Sequence, residues 1–185
     1  TYAFLLDPDI AQNAGTIRPL TVKAKEGTVV WAKPGAPVTL CTSHCSQEII
    51  EAIVDAIAPA CPERAMAGWG KRFRIAIKGE DPRNGAPFIW HMFHARPGAG
   101  ASSGGDGWHG SGEWHSAGGL KFGSVEVAEA RFPLFFERHE YRPGSCGDGQ
   151  YGGGAGCELL LRLETASDCK VNTAGEGVRH AAAGR

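Results

Sequence analysis

The sequence has no apolar run long enough to cross a bilayer, no block of basic residues and no secretion signal at its start. Its 19 basic and 20 acidic residues give a formal net charge of -1. This balance lacks the positive charge with which proteins attract nucleic acid or an anionic membrane. We therefore expect a cytoplasmic protein with no nucleic-acid or membrane partner.

Cysteine is also sparse. The six cysteines among 185 residues are too few and too scattered for a disulfide scaffold, so we expect reduced thiols. Cys41, His44 and Cys45 place three zinc-type ligands close together. A structural zinc site needs a fourth ligand at a suitable distance, and we therefore assign no metal ligand. An independent zinc-binding module on these three residues is the weakest of the alternatives.

Glycine, by contrast, is abundant and unevenly placed. Of 27 glycines, 17 fall between Gly98 and Gly156 without a period of three, which excludes a collagen-like chain. Apolar strand signals resume after each glycine-dense stretch. The stretches are therefore predicted to be long loops inside one domain rather than a linker between two.

One amphipathic helix is predicted from about Ser46. Apolar residues recur there at three- and four-residue spacing, which places them on one helical face: Ile49, Ile50, Ile53, Val54 and Ile57. Ser43 or Ser46 is expected to cap its start. Pro59 and Pro62 are expected to mark its end, because proline has no N–H to donate.

Alternating or continuous apolar residues predict strands elsewhere. The predicted segments are 18–31, as two strands around a tight turn, 73–78, 88–93, 125–127, 134–141 and 159–163. Segment 88–93 is apolar enough to be buried on both faces, and at least one of His91 and His94 is expected to be structural. The predicted fold class is α+β, mixed and strand-rich, with one clear amphipathic helix and long glycine-rich loops in a single domain over residues 1–185.

The first glycine-dense loop holds the acid–base candidates. Asp106, His109 and His115 are interleaved there with Trp108 and Trp114, a mixture that can place a carboxylate and an imidazole over a carbonyl substrate. The alternative is a loop folded down by its tryptophans, with the polar groups bonding its turns. We take Asp106 and His109 as catalytic candidates.

A second string, Gly147 to Gly152, has the spacing of a dinucleotide-binding fingerprint. That fingerprint needs a helix after it, whereas the residues after Gly156 alternate as a strand. No cofactor-binding residue is assigned.

Four groups of short strings stand in one order along the chain. They are Leu6 to Ile10 with Asn13-Ala14-Gly15 and Arg18-Pro19; Lys25 to Thr28, Gly35 to Val38 and Ser46-Gln47; Arg96 to Ala101 with Asp106-Gly107 and Ser124 to Glu126; and Tyr141 to Ser145 with the glycines up to Gly156. Together they resemble the hydantoinase B/oxoprolinase family over essentially the whole chain. Cys146 stands where the family commonly has glycine, and Gly152 where it commonly has arginine.

The resemblance implies a hetero-oligomer with a hydantoinase A-type subunit. In that division of labour the partner binds ATP with Mg and activates an oxygen of a small-molecule substrate. This subunit then helps to hydrolyse a cyclic amide of the hydantoin or oxoproline type, or to carboxylate an aromatic ketone such as acetophenone. A noncatalytic scaffold within the complex is the alternative.

The resemblance also implies a fragment of the subunit's C-terminal half, truncated at both ends. The metal-binding strings of the family belong to the N-terminal half, so any metal ion is expected there and none on this fragment. The fragment alone is expected to be inactive. The string Gly175 to His180 is similar to one found in acetophenone-carboxylase-like members. Together with the aromatic neighbourhood Trp108 to Gly110, it favours the carboxylase branch over the hydrolase branch.

Overall fold

The computed structural model describes residues 6–11, 13–39, 45–92, 94–116, 119–164 and 168–184. They group into two compact units, unit 1 over 1–65 and unit 2 over 66–185. No helix in these ranges is both long and apolar enough to cross a membrane. That the two units form a single domain stays a prediction.

Unit 1 contains the predicted amphipathic helix. A short helix α1, Ala14–Ile17, begins at Asn13, whose side chain accepts the Gly15 N–H. The main helix α2 spans Ser46–Ile57 and continues into the 3₁₀ turns Ala58–Ala60 and Pro62–Arg64. The helix and its proline-marked end are confirmed.

The start of α2 differs from the prediction. Ser46 is the first helical residue and not the cap, which is Cys45 in a left-handed conformation with φ 62° and no side-chain cap bond. Ser43, the other predicted cap, lies outside the described residues, as do Cys41 and His44 of the zinc alternative. Val54 is buried, but Ile49 is 47% exposed, so the buried face is rotated from the predicted apolar one.

The predicted strand pair over 18–31 is wrong. The segment has no strand, and a single bridge joins Thr28 to Trp31 after a turn through Gly27 at φ 80°. Val22 is 89% exposed. Alternation makes a strand only where one face is buried, and this segment has no buried face.

Unit 2 contains two antiparallel sheets. The strands β1, Phe73–Asp81, β2, Ala86–His91, and β5, Lys170–Gly175, form one sheet in the order β2-β1-β5. The strands β3, Leu134–Tyr141, and β4, Cys157–Leu163, form the other. The predicted strands near 73, 134 and 159 are confirmed, as is the α+β class.

The core lies between these sheets. Its buried apolar members are Ile77, Phe88, Trp90, Met92 and Leu134. On β2 the intervening Ile89 is 62% exposed. The prediction that this strand is buried on both faces is therefore wrong, because only its alternate residues reach the core.

A second helix replaces a predicted strand. Residues 125–127 begin the helix α3, Val125–Arg131, whose cap Ser124 accepts the Val127 N–H at 3.1 Å. The Glu129 carboxylate accepts the Phe136 N–H at 2.8 Å and ties α3 to β3. Capping and this later contact override the short Val-Glu-Val alternation.

His94 is the structural histidine of the pair considered above. It follows β2, is 4% exposed and stacks against Trp90 at 5.7 Å between ring centroids. Its Nε2 donates to the Ser124 carbonyl at 3.3 Å, which leaves Nδ1 buried with no hydrogen-bond partner among the described residues. Burial lowers the pKa of His94, and the nearby His139 and Arg96 add to this effect.

The buried neutral ring predicts a loss of stability in acid. Below about pH 6.5, the ordinary histidine pKa, the unfolded chain gains a proton that folded His94 binds less readily. The free energy of unfolding should therefore fall as the pH drops through this range and level off above it. Urea unfolding at a series of pH values measures this. His94→Gln should flatten the pH dependence of the free energy of unfolding, whereas the control His91→Gln, at an exposed position on β2, should leave it unchanged. An unchanged dependence in His94→Gln would contradict the assignment.

Candidate functional site

Three glycine-rich segments of unit 2 pack against one another backbone to backbone. We call residues 97–101, 105–112 and 152–156 together the glycine layer. Five backbone hydrogen bonds connect them, each from an N–H to a carbonyl oxygen: Ala99 to Trp108 at 2.9 Å, Gly154 to Ala99 at 2.8 Å, Gly107 to Gly152 at 2.8 Å, Gly110 to Ala155 at 2.9 Å and Gly112 to Pro97 at 3.1 Å. The two glycine-dense loops predicted from the sequence therefore form one structure.

The close approach within the layer explains its composition. A Cβ on Gly98 would overlap the Gly154 carbonyl oxygen, and a Cβ on Gly154 would overlap the Trp108 carbonyl oxygen. A Cβ on Gly107 would meet the Ala99 oxygen in the same way. Only glycine allows these backbones to come so near.

Asp106 and His109, the predicted catalytic candidates, both lie on this layer. Asp106 Oδ1 accepts the Gly152 N–H at 2.7 Å, and His109 Nδ1 accepts the Ala155 N–H at 2.8 Å. Both residues are exposed. Because Nδ1 holds a lone pair toward Ala155, the neutral His109 ring carries its proton on Nε2 and presents a donor there.

The tryptophans of the loop divide into two roles. Trp114 stacks on the buried Trp69, with ring centroids 5.8 Å apart and planes 4° apart. Trp108, between the two candidates, is 79% exposed. His115 is exposed in the 3₁₀ turn Trp114–Ser116. Only Trp114 therefore folds the loop down.

A cleft of about 520 Å³ lies beside the glycine layer within unit 2. Its polar and apolar lining includes Lys71, Phe73, Arg96, Arg142, Cys146 and Cys157. Gly98, Gly153 and Gly154 form part of its wall, whereas Asp106 and His109 do not line it. The two candidates accept hydrogen bonds from Gly152 and Ala155, which flank the cleft-lining Gly153 and Gly154.

A buried charge cluster supports one side of the cleft. Glu113, 3% exposed, accepts from Arg96 Nη1 at 3.2 Å and from Arg74 Nη2 at 3.3 Å, and Arg72 Nε lies 3.9 Å away. Burial lowers the pKa of Arg72, opposed by the Glu113 charge. This cluster was not predicted from the sequence, because nothing local in the sequence pairs Glu113 with residues 17 to 41 positions before it.

The cleft thiol at Cys157 is held in its protonated form. Burial raises its pKa, and the Arg96 backbone N–H and charge oppose this only in part. A thiol is a far weaker nucleophile than a thiolate. Cys157 is therefore a weaker nucleophile than a cysteine with an ordinary pKa.

A family model for hydantoinase B/oxoprolinase matches residues 1–185. The chain belongs to this family. The resemblance that the sequence strings predicted is thereby confirmed, and several of those strings, such as Arg96 to Ala101 and Asp106-Gly107, contribute residues to the glycine layer.

Relatives and one solved structure agree with the family. The chain is 34% identical over 152 residues to caprolactamase subunit beta of Pseudomonas jessenii, a match that covers 80% of this chain and 26% of that protein. It is 28% identical over 180 residues to a 5-oxoprolinase of Pestalotiopsis fici, covering 92% of this chain and 14% of that protein. The crystal structure of ATP-dependent caprolactamase from Pseudomonas jessenii superposes with a TM-score of 0.72 at 29% identity, over 88% of this chain and 29% of that one. The chain thus spans between 14% and 29% of the length of these relatives.

The close packing predicts a sharp contrast between Gly154, inside the glycine layer, and Gly147, outside it. Gly154→Ala should lower the free energy of unfolding by about 1–3 kcal/mol or more, because its Cβ would overlap the backbone at Trp108. Gly147→Ala should cost much less, since nothing lies within 4 Å of its Cβ position. Chemical denaturation of both variants beside the wild type measures this. Equal destabilisation would contradict the close packing of the layer.

Proposed function

We propose that this chain is part of a subunit of an ATP-dependent enzyme that hydrolyses a cyclic amide. The observation that carries the proposal is the family match over 1–185, together with 34% identity to a caprolactamase subunit beta. Caprolactam and oxoproline, named in these relatives, are both cyclic amides. A hydantoin ring contains the same bond.

The chemistry explains the need for ATP. Amide resonance makes the ring carbonyl a poor electrophile and its oxygen a poor leaving group. Phosphorylation of that oxygen removes the resonance and lets water add to the carbon. We assign the binding of ATP with Mg to a hydantoinase A-type partner, since this sequence contains no GxxxxGK[ST] phosphate loop.

Within this chain, the glycine layer is the proposed platform for the reaction. It fixes Asp106 and His109 through the N–H groups of Gly152 and Ala155. His109 Nε2–H can donate to a substrate oxygen, and the Asp106 carboxylate can receive a proton. Both groups are exposed on a backbone held by several hydrogen bonds, as positioned acid–base groups require.

Two other functions remain as predictions. Carboxylation of a ketone such as acetophenone would use the same activation of an oxygen by ATP. A noncatalytic role, in which this chain supplies only interface and core, agrees with the exposure of Trp108, because a large aromatic side chain left in water is typical of a protein contact.

Release of ADP distinguishes the two chemistries. The complete subunit, assembled with its partner, should release ADP when a hydantoin or a lactam is added, with or without bicarbonate. It should release none with acetophenone. Release triggered by the ketone and dependent on bicarbonate would overturn hydrolysis in favour of carboxylation.

Substitution of the two candidates separates catalysis from scaffolding. Asp106→Asn keeps an oxygen for the Gly152 N–H but removes the charge, and His109→Ala removes the Nε2 donor. Each should lower the rate of ring opening by about 100-fold or more while the complex still assembles. The matched controls Asp148→Asn and His115→Ala, both exposed, should leave the rate unchanged. Unchanged turnover with altered assembly in the candidates would favour the scaffold.

A further inference from the structure

The charge lining the cleft has one sign. Three cationic side chains, Lys71, Arg96 and Arg142, line it, and among the residues that the structure describes no aspartate or glutamate does. Arg96 is neutralised from behind by Glu113 at 3.2 Å. We propose that the cleft binds a small carboxylate, with Arg142 as the cation that recognises it.

Arg142 is fixed at its backbone and available at its side chain. Its N–H donates to the Gly156 oxygen at 2.9 Å, and its carbonyl accepts the Ser145 hydroxyl at 2.8 Å. Ser145 Oγ also accepts the Gly156 N–H at 3.0 Å. No ion pair involves Arg142 within the described ranges. A guanidinium of this kind offers two parallel donors that match a carboxylate.

The turn after Arg142 adds backbone donors. Cys146 and Gly147 both line the cleft, and their N–H groups donate to no acceptor in the part of the chain that the structure describes. The Gly147 carbonyl accepts the Gly153 N–H at 2.9 Å, which holds this peptide against the glycine layer. Successive N–H groups beside a cation are typical of anion sites.

The remaining lining suits a short carbon chain. Phe73, Pro97 and Ala99 supply apolar surface, and a volume of about 520 Å³ lies within the range of small-molecule sites. The identity of the ligand rests on the proposed function. In ring opening, water adds to the carbon of the phosphorylated amide, and the C–N bond breaks as the nitrogen takes a proton. A second water then releases inorganic phosphate from the acyl phosphate that is left. The product is an amino acid with the carboxylate that this cleft would recognise.

Alkylation of Cys146 by neutral iodoacetamide reports on occupancy of the cleft. The complete subunit, assembled with its partner, is alkylated with iodoacetamide in the presence of increasing concentrations of 6-aminohexanoate. Mass spectrometry gives the rate of alkylation at each cysteine. Labelling of Cys146 should slow about tenfold when the ligand exceeds its dissociation constant tenfold. Labelling of Cys45, in unit 1, is the internal reference and should not change.

Variants test the role of Arg142. Arg142→Gln should weaken protection by about 10- to 100-fold, because it removes a charge-assisted hydrogen bond. Arg142→Lys keeps the positive charge and should therefore retain part of the protection. The control is Arg138→Gln, because Arg138 lies on β3 and pairs with Glu158 outside the cleft. In this variant 6-aminohexanoate should protect Cys146 as well as it does in the wild type.

Each other outcome has a defined meaning. Protection that survives Arg142→Gln, or no protection at all, would overturn the cleft proposal even if lactams trigger ADP release. Protection by phosphate but not by carboxylates would overturn the choice of ligand class. Protection by 6-aminohexanoate without lactam-triggered ADP release would leave the cleft in place and overturn the proposed function.

Discussion

Close packing of backbone against backbone in the glycine layer is the constraint on which the rest of unit 2 depends. The layer joins segments about 50 residues apart in sequence. It forms a wall of the cleft on one side, and it holds Asp106 and His109 through their accepting atoms. A side chain at Gly98, Gly107 or Gly154 would separate the segments. Both the acid–base candidates and the cleft therefore depend on residues that have no functional groups of their own.

Much of the regular structure could be predicted because its signals are local. The helix α2 and the strands β1, β3 and β4 follow from periodicity over a few residues. The segment 18–31 shows the limit of that method, since alternation there is not accompanied by burial. The helix α3 shows a second limit of local periodicity. There a cap at Ser124 and a hydrogen bond from β3 to Glu129 decide the structure of a short segment.

The site was predictable only in part, for a related reason. Asp106 and His109 stand out in the sequence because they lie in a glycine-rich loop with tryptophans. Their use as acceptors for Gly152 and Ala155 depends on a contact across 46 residues. The same is true of Glu113 and its arginines, and of a cleft formed by residues from 68 to 182. Such groupings are set by tertiary packing, which periodicity does not encode.

The central proposal is that a rigid glycine backbone supports the hydrolysis of a cyclic amide driven by ATP. The most direct test is to measure ADP and ring-opened amino acid together in one reaction of the complete complex with a lactam. Equal amounts of the two, formed at the same rate, are the predicted result. ADP formed without ring opening, or ring opening without ADP, would contradict the account.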